Sequence, residues 1–293
     1  MSNSLPPNLP FRLRTMCPED LEAAMELKNA EGWNQTLSDW ELFIENSPES
    51  CLVATDGDRV IGTVTGINYD NKVAWIGMML VNQAYRGQGV SKKLMSAVIQ
   101  TLGTASSIKL DATPAGYPVY EKLGFKQEYA LIRMTTDKFS PSLIVEENSA
   151  NVIPLTSENL FEIFPMDKDA FGSDRKLVLM HAQRQQPHLA CMYKEDGNVK
   201  GFLLARSGTR YLHIGPMVAT DTQVAKTLLR FACTRIGDVP LVLDASISNS
   251  NWVSWLESCG FKKQRDLYRM YLKSNSHPGN PEQCFLVAGP ELG

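Results

Sequence analysis

VAWIGMMLVNQAYRGQGVSKKL, residues 73–94, joins an apolar segment to a helical pattern through a glycine-rich turn. Val73–Val81 predicts a strand, and the apolar residues 90, 94, 97, 98 and 102 lie on one helix face. Gly87 and Gly89 allow a tight turn whose backbone N–H groups are left unpaired. The first helical turn adds its own unpaired N–H groups and the positive end of its dipole. The stretch therefore predicts a site for a phosphate or pyrophosphate.

Other interpretations of this turn have weaker support in the sequence. A dinucleotide fingerprint requires G-x-G-x-x-G, but the position of the third glycine holds Lys92. A P-loop requires G-x-x-x-x-G-K followed by Ser or Thr, which the stretch does not contain. An ordinary glycine-rich turn without a ligand stays open as an alternative.

Much of the chain occurs twice. Residues 124–134, GFKQEYALIRM, match residues 260–270, GFKKQRDLYRM. Upstream, the triplet LDA at 110–112 recurs at 243–245, and IGMM at 76–79 recurs as IGPM at 214–217. These matches keep the same order along the chain, which predicts two related domains. We place the domains at residues 1–140 and 141–293, with the polar segment 140–149 as the linker.

Each copy combines strands and helices in a mixed α/β order. In the first copy we predict strands at 51–55, 59–66, 73–81, 108–112 and 126–134 and helices at 18–29, 37–46, 90–102 and 119–123. In the second copy we predict strands at 189–193, 199–206, 211–219, 239–245 and 262–271 and helices at 157–164, 175–184, 222–236 and 252–258.

The glycine-rich turn belongs to the first copy alone. Ile76 and Val90 are 14 positions apart, whereas the matching Ile214 and Val224 are 10 apart. The four missing residues fall in the stretch that reads YRGQG in the first copy. The second copy is therefore predicted to lack the anion site.

Composition limits the possible classes of protein. The chain has 293 residues, and its net charge of −3 argues against a nucleic-acid-coating protein. The six cysteines form no C-x-x-C pair and only four histidines accompany them, so we predict no metal site. With no signal-peptide core at the N-terminus and no apolar run of about 18 residues, we predict a cytoplasmic protein without a membrane segment. The oligomeric state stays open.

RGQGVS, residues 86–91, resembles the pyrophosphate loop R/Q-x-x-G-x-G/A of the GNAT N-acetyltransferases, with Ser91 where that family has Gly or Ala. IGMMLV at 76–81 looks like the splayed central strand of the family, and YEKLGF at 120–125 looks like its closing motif. The whole chain resembles a tandem, YitH-like group through GWNQT at 32–36, LDATPAG at 110–116, AFGSDR at 170–175 and HIGPMVA at 213–219. The resemblance implies an α/β fold (α+β mixed) of two tandem GNAT-type domains. Each would be a mixed, mostly antiparallel sheet flanked by helices, and the second would be degenerate.

The resemblance also implies direct transfer of an acetyl group from acetyl-CoA to a small-molecule or peptide amine, without a metal. Tyr120 would protonate the departing thiolate. The backbone of residues 79–81 would pair with the pantetheine arm, and the Leu80 N–H would polarise the thioester carbonyl. The residues implied to bind the cofactor are Met79, Leu80, Val81, Arg86, Gly87, Gln88, Gly89, Val90 and Ser91.

The general base and the acceptor pocket are less defined. Asp111 is a candidate base, although Asp244 recurs at the matching place and suggests a shared structural bond. Deprotonation through water, or an amine that is already neutral, would require no side chain. For the acceptor we expect contacts from Trp33, Asn34, Arg175 and His213, with core packing as the alternative for Trp33 and His213. A non-catalytic acyl-CoA-binding or sensor protein is the alternative function.

Overall fold

The computed structural model describes residues 11–139, 149–248 and 250–293. We call residues 11–139 the first half and residues 149–293 the second half. The predicted linker, apart from Ser149, lies outside the described residues, as does the predicted boundary between the two domains. That boundary stays a prediction.

The first half contains six strands and four helices among its described residues. The strands are β1 (Arg12–Thr15), β2 (Leu52–Asp56), β3 (Arg59–Tyr69), β4 (Val73–Val81), β5 (Ser107–Ala112) and β6 (Lys126–Thr136). The helices are α1 (Leu21–Ala30), α2 (Leu37–Asn46), α3 (Val90–Thr101) and α4 (Tyr117–Lys122).

The described part of the second half contains seven strands and four helices. The strands are β7 (Val152–Pro154), β8 (Cys191–Glu195), β9 (Asn198–Arg206), β10 (Leu212–Ala219), β11 (Leu241–Ser246), β12 (Lys262–Lys273) and β13 (Cys284–Leu286). The helices are α5 (Phe164–Phe171), α6 (Lys176–Gln185), α7 (Thr222–Cys233) and α8 (Ser250–Ser258). Within the described ranges, no helix has both the length and the apolar character needed to cross a bilayer.

Most predicted elements form close to their predicted bounds, with one clear exception. The helix predicted at 157–164 is wrong, because a short 3-10 helix, Leu160–Ile163, only leads into α5 at Phe164. Pro165 lies in the first turn of α5, where its missing N–H breaks no hydrogen bond, so it starts this helix instead of ending one. The strands β1, β7 and β13 were not predicted, since three or four residues are too few to show a period.

All thirteen described strands belong to one sheet, in the order β1-β2-β3-β4-β5-β12-β6-β11-β13-β10-β9-β8-β7. Two of the strand pairs are parallel, the neighbours β4–β5 and the additional pair β10–β11, and the other pairs are antiparallel. Apolar faces of α1 and α2 pack on one side of the first-half sheet and α3 packs on the other. The predicted fold class, a mixed and mostly antiparallel sheet flanked by helices, is confirmed.

The two halves exchange their last long strands. Strand β12 of the second half pairs with β5 of the first half, in register from Tyr268–Ala112 to Lys273–Ser107. Strand β6 of the first half pairs in turn with β11 of the second half. β6 and β12 also pair with each other, so the sheet runs without interruption through both halves.

Two buried ion pairs hold this exchange together. Arg269 on β12 donates from Nε and Nη2 to both oxygens of Asp111 on β5, each at 2.9 Å. Arg133 on β6 donates in the same way to Asp244 on β11, each at 2.7 Å. The four residues match between the copies, since Asp111 corresponds to Asp244 and Arg133 to Arg269. Each ion pair nevertheless joins a residue of the first half to a residue of the second. The recurrence of Asp111 as Asp244 therefore reflects a structural bond of the fold.

Candidate active site

Strand β4 separates from its parallel neighbour part-way along its length. It pairs with β5 only over Val73–Trp75 and leaves an open gap beyond that point. A bulge follows, in which Met78 and Met79 lie opposite Val64 on β3, and Met78 has a φ of +48°. Thr63 Oγ1 donates to the Met78 carbonyl at 2.8 Å and fixes this bulge.

The backbone on the far side of the bulge presents donors to the gap. The Asn82 N–H donates to the Ile61 carbonyl of β3 at 2.8 Å. Because successive N–H groups of a strand point to opposite sides, the Leu80 N–H also points towards β3. The N–H groups of Met79 and Val81 point towards the open gap. The donor edge available to a ligand is therefore that of residues 79 and 81.

A cleft of about 440 Å³ occupies the gap and continues to the start of α3. Of the predicted cofactor residues, it brings together Met79, Val81, Arg86, Gly87, Gly89, Val90 and Ser91. It also brings in Trp33, Asp111 and Tyr120. Leu80 packs into the core instead, and Gln88 donates from Nε2 to the Ala84 carbonyl at 3.2 Å. No group of three or more potential metal ligands lies in the part of the chain that the structure describes.

The turn before α3 has the conformation of an anion cradle. Gly87 and Gly89 have φ angles of +78° and +83°, and Gly89 directly precedes the first residue of the helix. A Cβ added at either glycine would meet no described atom within 4 Å, so the space in front of the turn is open. No side chain caps α3, and its first N–H groups are free to bind an anion.

The matching places in the second half are filled by the protein itself. The Asp221 carboxylate caps α7 by accepting from the backbone N–H groups of Gln223 and Val224, at 2.8 and 2.9 Å. Strand β13 lies between β10 and β11 and pairs with both, at the place where β4 and β5 separate in the first half. A carboxylate thus stands where the first half has an open anion site, and a strand fills the gap.

Tyr120 lies on α4 at the wall of the cleft. Burial raises its pKa to about 12, so the phenol keeps its proton at neutral pH. Its ring packs edge-on against Phe125, with the ring centres 6.0 Å apart. No hydrogen-bond partner of the hydroxyl is found among the described residues. The Tyr120 phenol is therefore protonated at neutral pH and has no competing acceptor among the described residues.

The charged residues at the two ends of the cleft already have partners. Arg86 pairs with Glu31 at the end of α1, and its side chain is about half exposed. Asp111 is held by Arg269 through both of its oxygens. A role for Asp111 as a proton acceptor would require that ion pair to open.

Three residues predicted to contact the acceptor lie elsewhere. Arg175 is buried between Asp167 and the Gly293 carbonyl, in an ion pair and a hydrogen bond. The His213 imidazole is buried, with Nε2 3.3 Å from Asp244 Oδ2, and burial lowers its pKa. Asn34 accepts from the N–H groups of Arg210 and Tyr211 at 3.0 and 2.9 Å and donates to the Tyr211 carbonyl at 2.9 Å.

The three hydrogen bonds of Asn34 predict a structural effect when it is replaced. Asn34→Ala leaves two N–H groups and a carbonyl without partners, and we expect a loss of about 1–3 kcal/mol in the free energy of unfolding. Urea denaturation measures this loss. Asn198→Ala, at the exposed first residue of β9, is the control and should leave the midpoint unchanged. Full stability of Asn34→Ala would contradict the bridging role.

The cleft also contains residues that the sequence did not single out. Arg133 and Arg265 lie on its floor, and Pro290 and Glu291 reach it from the C-terminal segment. Trp75 Nε1 donates to the Pro290 carbonyl at 2.9 Å and the Tyr69 hydroxyl donates to the Leu292 carbonyl at 3.0 Å, which holds the segment beside β4. The repeat contained a weak indication, since Arg265 stands where the first copy has Tyr129, at one of the five positions that differ between the two matched stretches.

Comparisons with known proteins bear on the family of this chain. The model of the acetyltransferase (GNAT) family matches residues 16–125, and that of an acetyltransferase (GNAT) domain matches residues 163–286. Holothin acyltransferase of Pseudoalteromonas sp. (strain SANK 73390) is 22% identical over 94% of this chain and 92% of its own length. The uncharacterised N-acetyltransferase YitH of Bacillus subtilis (strain 168) is 24% identical over 68% of this chain and 69% of its own.

A solved structure shows the same fold along the whole chain. A proposed acetyltransferase from Pyrococcus horikoshii superposes with a TM-score of 0.81 at 24% identity, covering 100% of this chain and 99% of its own. The fold, the cradle and the family matches together define an acyltransferase. The chain belongs to the GNAT acetyltransferases, with two GNAT domains in tandem. The predicted resemblance is thus confirmed, and so is the prediction of an enzyme.

Proposed function

We propose that this chain transfers an acetyl group from acetyl-CoA to an amine, and that the first-half cleft is its active site. One observation carries the proposal. The free N–H groups of the glycine cradle, the open donor edge of β4 and the Tyr120 phenol all border the same cleft. The pyrophosphate of acetyl-CoA requires the cradle, the amides of its arm require the donor edge, and its thioester requires the phenol. The three features follow one another in this order.

The residues of the cleft fit the cofactor in position and chemistry. The cradle N–H groups at residues 87–91 would hold the pyrophosphate, with Arg86 as a nearby cation. Binding at Arg86 would compete with its ion pair to Glu31. The edge of β4 at residues 79 and 81 would pair with the amides of the pantetheine arm as a neighbouring strand does. In this scheme Gln88 contributes its backbone only, and Leu80 contributes neither its side chain nor its N–H.

Bound acetyl-CoA would supply an acetyl group activated as a thioester, and the new C–N bond forms as the C–S bond breaks. The Met79 N–H, at the bulge and on the open side, would donate to the carbonyl oxygen, whereas the Leu80 N–H is turned away from the cleft. Tyr120 would hold the proton that the departing sulfur takes. The bulge fixes the Met79 donor in advance of binding.

The proton lost by the amine has no dedicated acceptor in this proposal. Asp111 forms an ion pair with Arg269, and this pair joins β5 to β12. Water in the cleft, or an acceptor that binds as the neutral amine, would suffice. The second half, with its own gap filled by β13, would shape the acceptor side of the cleft through β12 and the C-terminal segment. We keep the division at residues 1–140 and 141–293 as part of this proposal.

Binding of CoA tests the cradle directly. CoA at 100 times its dissociation constant should stabilise the protein by about 2.7 kcal/mol, or about 5–10 °C in Tm. Gly89→Val should abolish this shift, because the side chain would occupy the open space and the φ of +83° would no longer be accessible. Gly197→Val is the matched control. It has a φ of +77°, open surroundings and a place in an exposed turn of the second half, and it should keep the full shift.

Release of free thiol from acetyl-CoA tests the transfer. The acceptors to be compared are amines, amino acids, polyamines and peptides, since the named relatives do not fix an acceptor for this chain. Turnover with one class would support the proposal. A CoA-dependent Tm shift that persists in Gly89→Val would contradict the cradle assignment, and CoA binding without turnover on any acceptor would favour a sensor.

A further inference from the structure

The floor of the cleft holds two arginines side by side. Arg265 on β12 and Arg133 on β6 are register partners across the strand pair that joins the two halves, next to a bulge at residue 264. Both line the cleft. Like charges in this position repel each other, so the fold gains nothing from the second arginine itself. The matching residue of the first copy is Tyr129, which shows that the architecture does not require an arginine here.

The two arginines differ in how their charge is balanced. Arg133 donates from Nε and Nη2 to the two oxygens of Asp244, which is its counter-ion. Arg265 forms no ion pair with any described residue, and its buried Nε has no hydrogen-bond partner there. Burial and the charge of Arg133 both lower the pKa of Arg265, although Asp244 and Glu291 act against this. A half-buried guanidinium without a counter-ion is unfavourable unless a ligand supplies one.

An opposite charge lies in the same cleft. Glu291, from the C-terminal segment, pairs through Oε1 with Arg206, which also pairs with Asp39 at 3.0 Å. Arg206 is thus the counter-ion of two buried carboxylates. Within the described residues, Glu291 Oε2 has no hydrogen-bond partner. The Glu291 backbone packs directly on Gly77, where an added Cβ would come within 2.9 Å of it, so the residue is held beside the bulge of β4.

We propose that the acceptor is an amine that also carries a carboxylate, an amino-acid-like molecule whose carboxylate binds Arg265 and whose ammonium group is attracted by Glu291. The planar guanidinium matches a carboxylate with two parallel hydrogen bonds. The carboxylate of Glu291 suits an ammonium group. This inference rests on the proposed function, because it assigns the second substrate of the same cleft.

Pairs of acceptors that differ only in the carboxylate test this inference. Each of the standard amino acids is compared with its carboxamide as acceptor of acetyl-CoA, by thiol release. For the preferred pair, we expect kcat/KM of the wild type to favour the free acid by tenfold or more. In Arg265→Gln this ratio should fall to about 1, and in Arg265→Lys it should be intermediate. Lys262→Gln, which removes an exposed cation from the same strand, should keep the wild-type ratio.

A binding measurement separates this inference from the proposed function. The Tm of each variant is measured with CoA alone and with CoA plus each acid or amide. Arg265→Gln should keep the full shift with CoA and lose the additional shift with the acid. If CoA fails to stabilise the wild type, the proposed function fails. If CoA stabilises the protein but acids and amides are equal in both turnover and Tm, or if Arg265→Gln keeps the preference, the inference is overturned and the proposed function stands.

Discussion

Asp244→Ala is expected to lower the free energy of unfolding by about 3–5 kcal/mol, because it leaves the buried Arg133 guanidinium without its counter-ion. Asp244 is fully buried and accepts two hydrogen bonds from Arg133 at 2.7 Å. The pair also joins β6 of the first half to β11 of the second. Chemical denaturation followed by circular dichroism measures the loss. Asp238→Ala removes the exposed ion pair with Lys138 and should change stability by about 0.5 kcal/mol or less.

The pH dependence gives this prediction a second measurement. Burial by itself would raise the pKa of Asp244, but Arg133 and His213 outweigh it and hold the pKa well below its ordinary range. The unfolded carboxyl titrates near about 3.9, so the ionised group contributes its full stability above that pH. This contribution is lost as the pH falls through and below the unfolded value. The stability of wild type and Asp244→Asn should therefore converge in acid, and a constant difference down to about pH 2 would contradict the assignment.

Tyr120→Phe is expected to lower kcat by about 10²- to 10³-fold while the KM for acetyl-CoA changes little. The substitution removes only the hydroxyl, and the ring contact with Phe125 is kept. Because burial raises the pKa of Tyr120 to about 12, the donor form persists throughout the usual assay range. The wild-type rate should therefore show no alkaline loss from this group below about pH 10. Steady-state kinetics by thiol release measure both effects.

Tyr117→Phe is the matched control for this prediction. Tyr117 lies on the same short helix, but its ring packs on Tyr268, with the centres 5.1 Å apart, and it does not line the cleft. Its replacement should leave kcat within about twofold of the wild type. Equal activity of Tyr120→Phe and wild type at saturating substrates would remove Tyr120 from the mechanism and leave protonation of sulfur to water.

Part of the site followed from the sequence because its signals are local. Three signals fall within about twenty residues: the apolar run of β4, the two glycines and the helical spacing after Val90. Each of them predicts a particular backbone conformation. The loss of four residues in the second copy predicted that the open turn belongs to the first half, and the Asp221 carboxylate caps α7 at the matching place. The donor edge of β4 did not follow, because the direction of each N–H depends on the pairing of Asn82 with Ile61 on another strand.

The residues predicted to contact the acceptor show a limit of sequence patterns. Asn34, Arg175 and His213 are polar residues in apolar surroundings, and pattern alone does not distinguish a buried structural bond from a substrate contact. Arg265 and Glu291 lie in unremarkable positions of the chain, 26 residues apart. They line the same cleft only because β12 crosses to the first half and the C-terminal segment lies beside β4.

The sequence by itself determined the repeat, the cradle and the order of the elements, since all of these depend on short-range periodicity and on the conformational freedom of glycine. Tertiary structure alone decided which strands pair. β6 and β12 have nearly the same pattern, so either suits β5 or β11, and the choice rests on the packing of the whole sheet. It also decided that β13 fills the gap of the second half. Two strands with similar sequences gain similar free energy from pairing with a given distant strand. Only the complete set of tertiary contacts therefore decides which of them pairs with it.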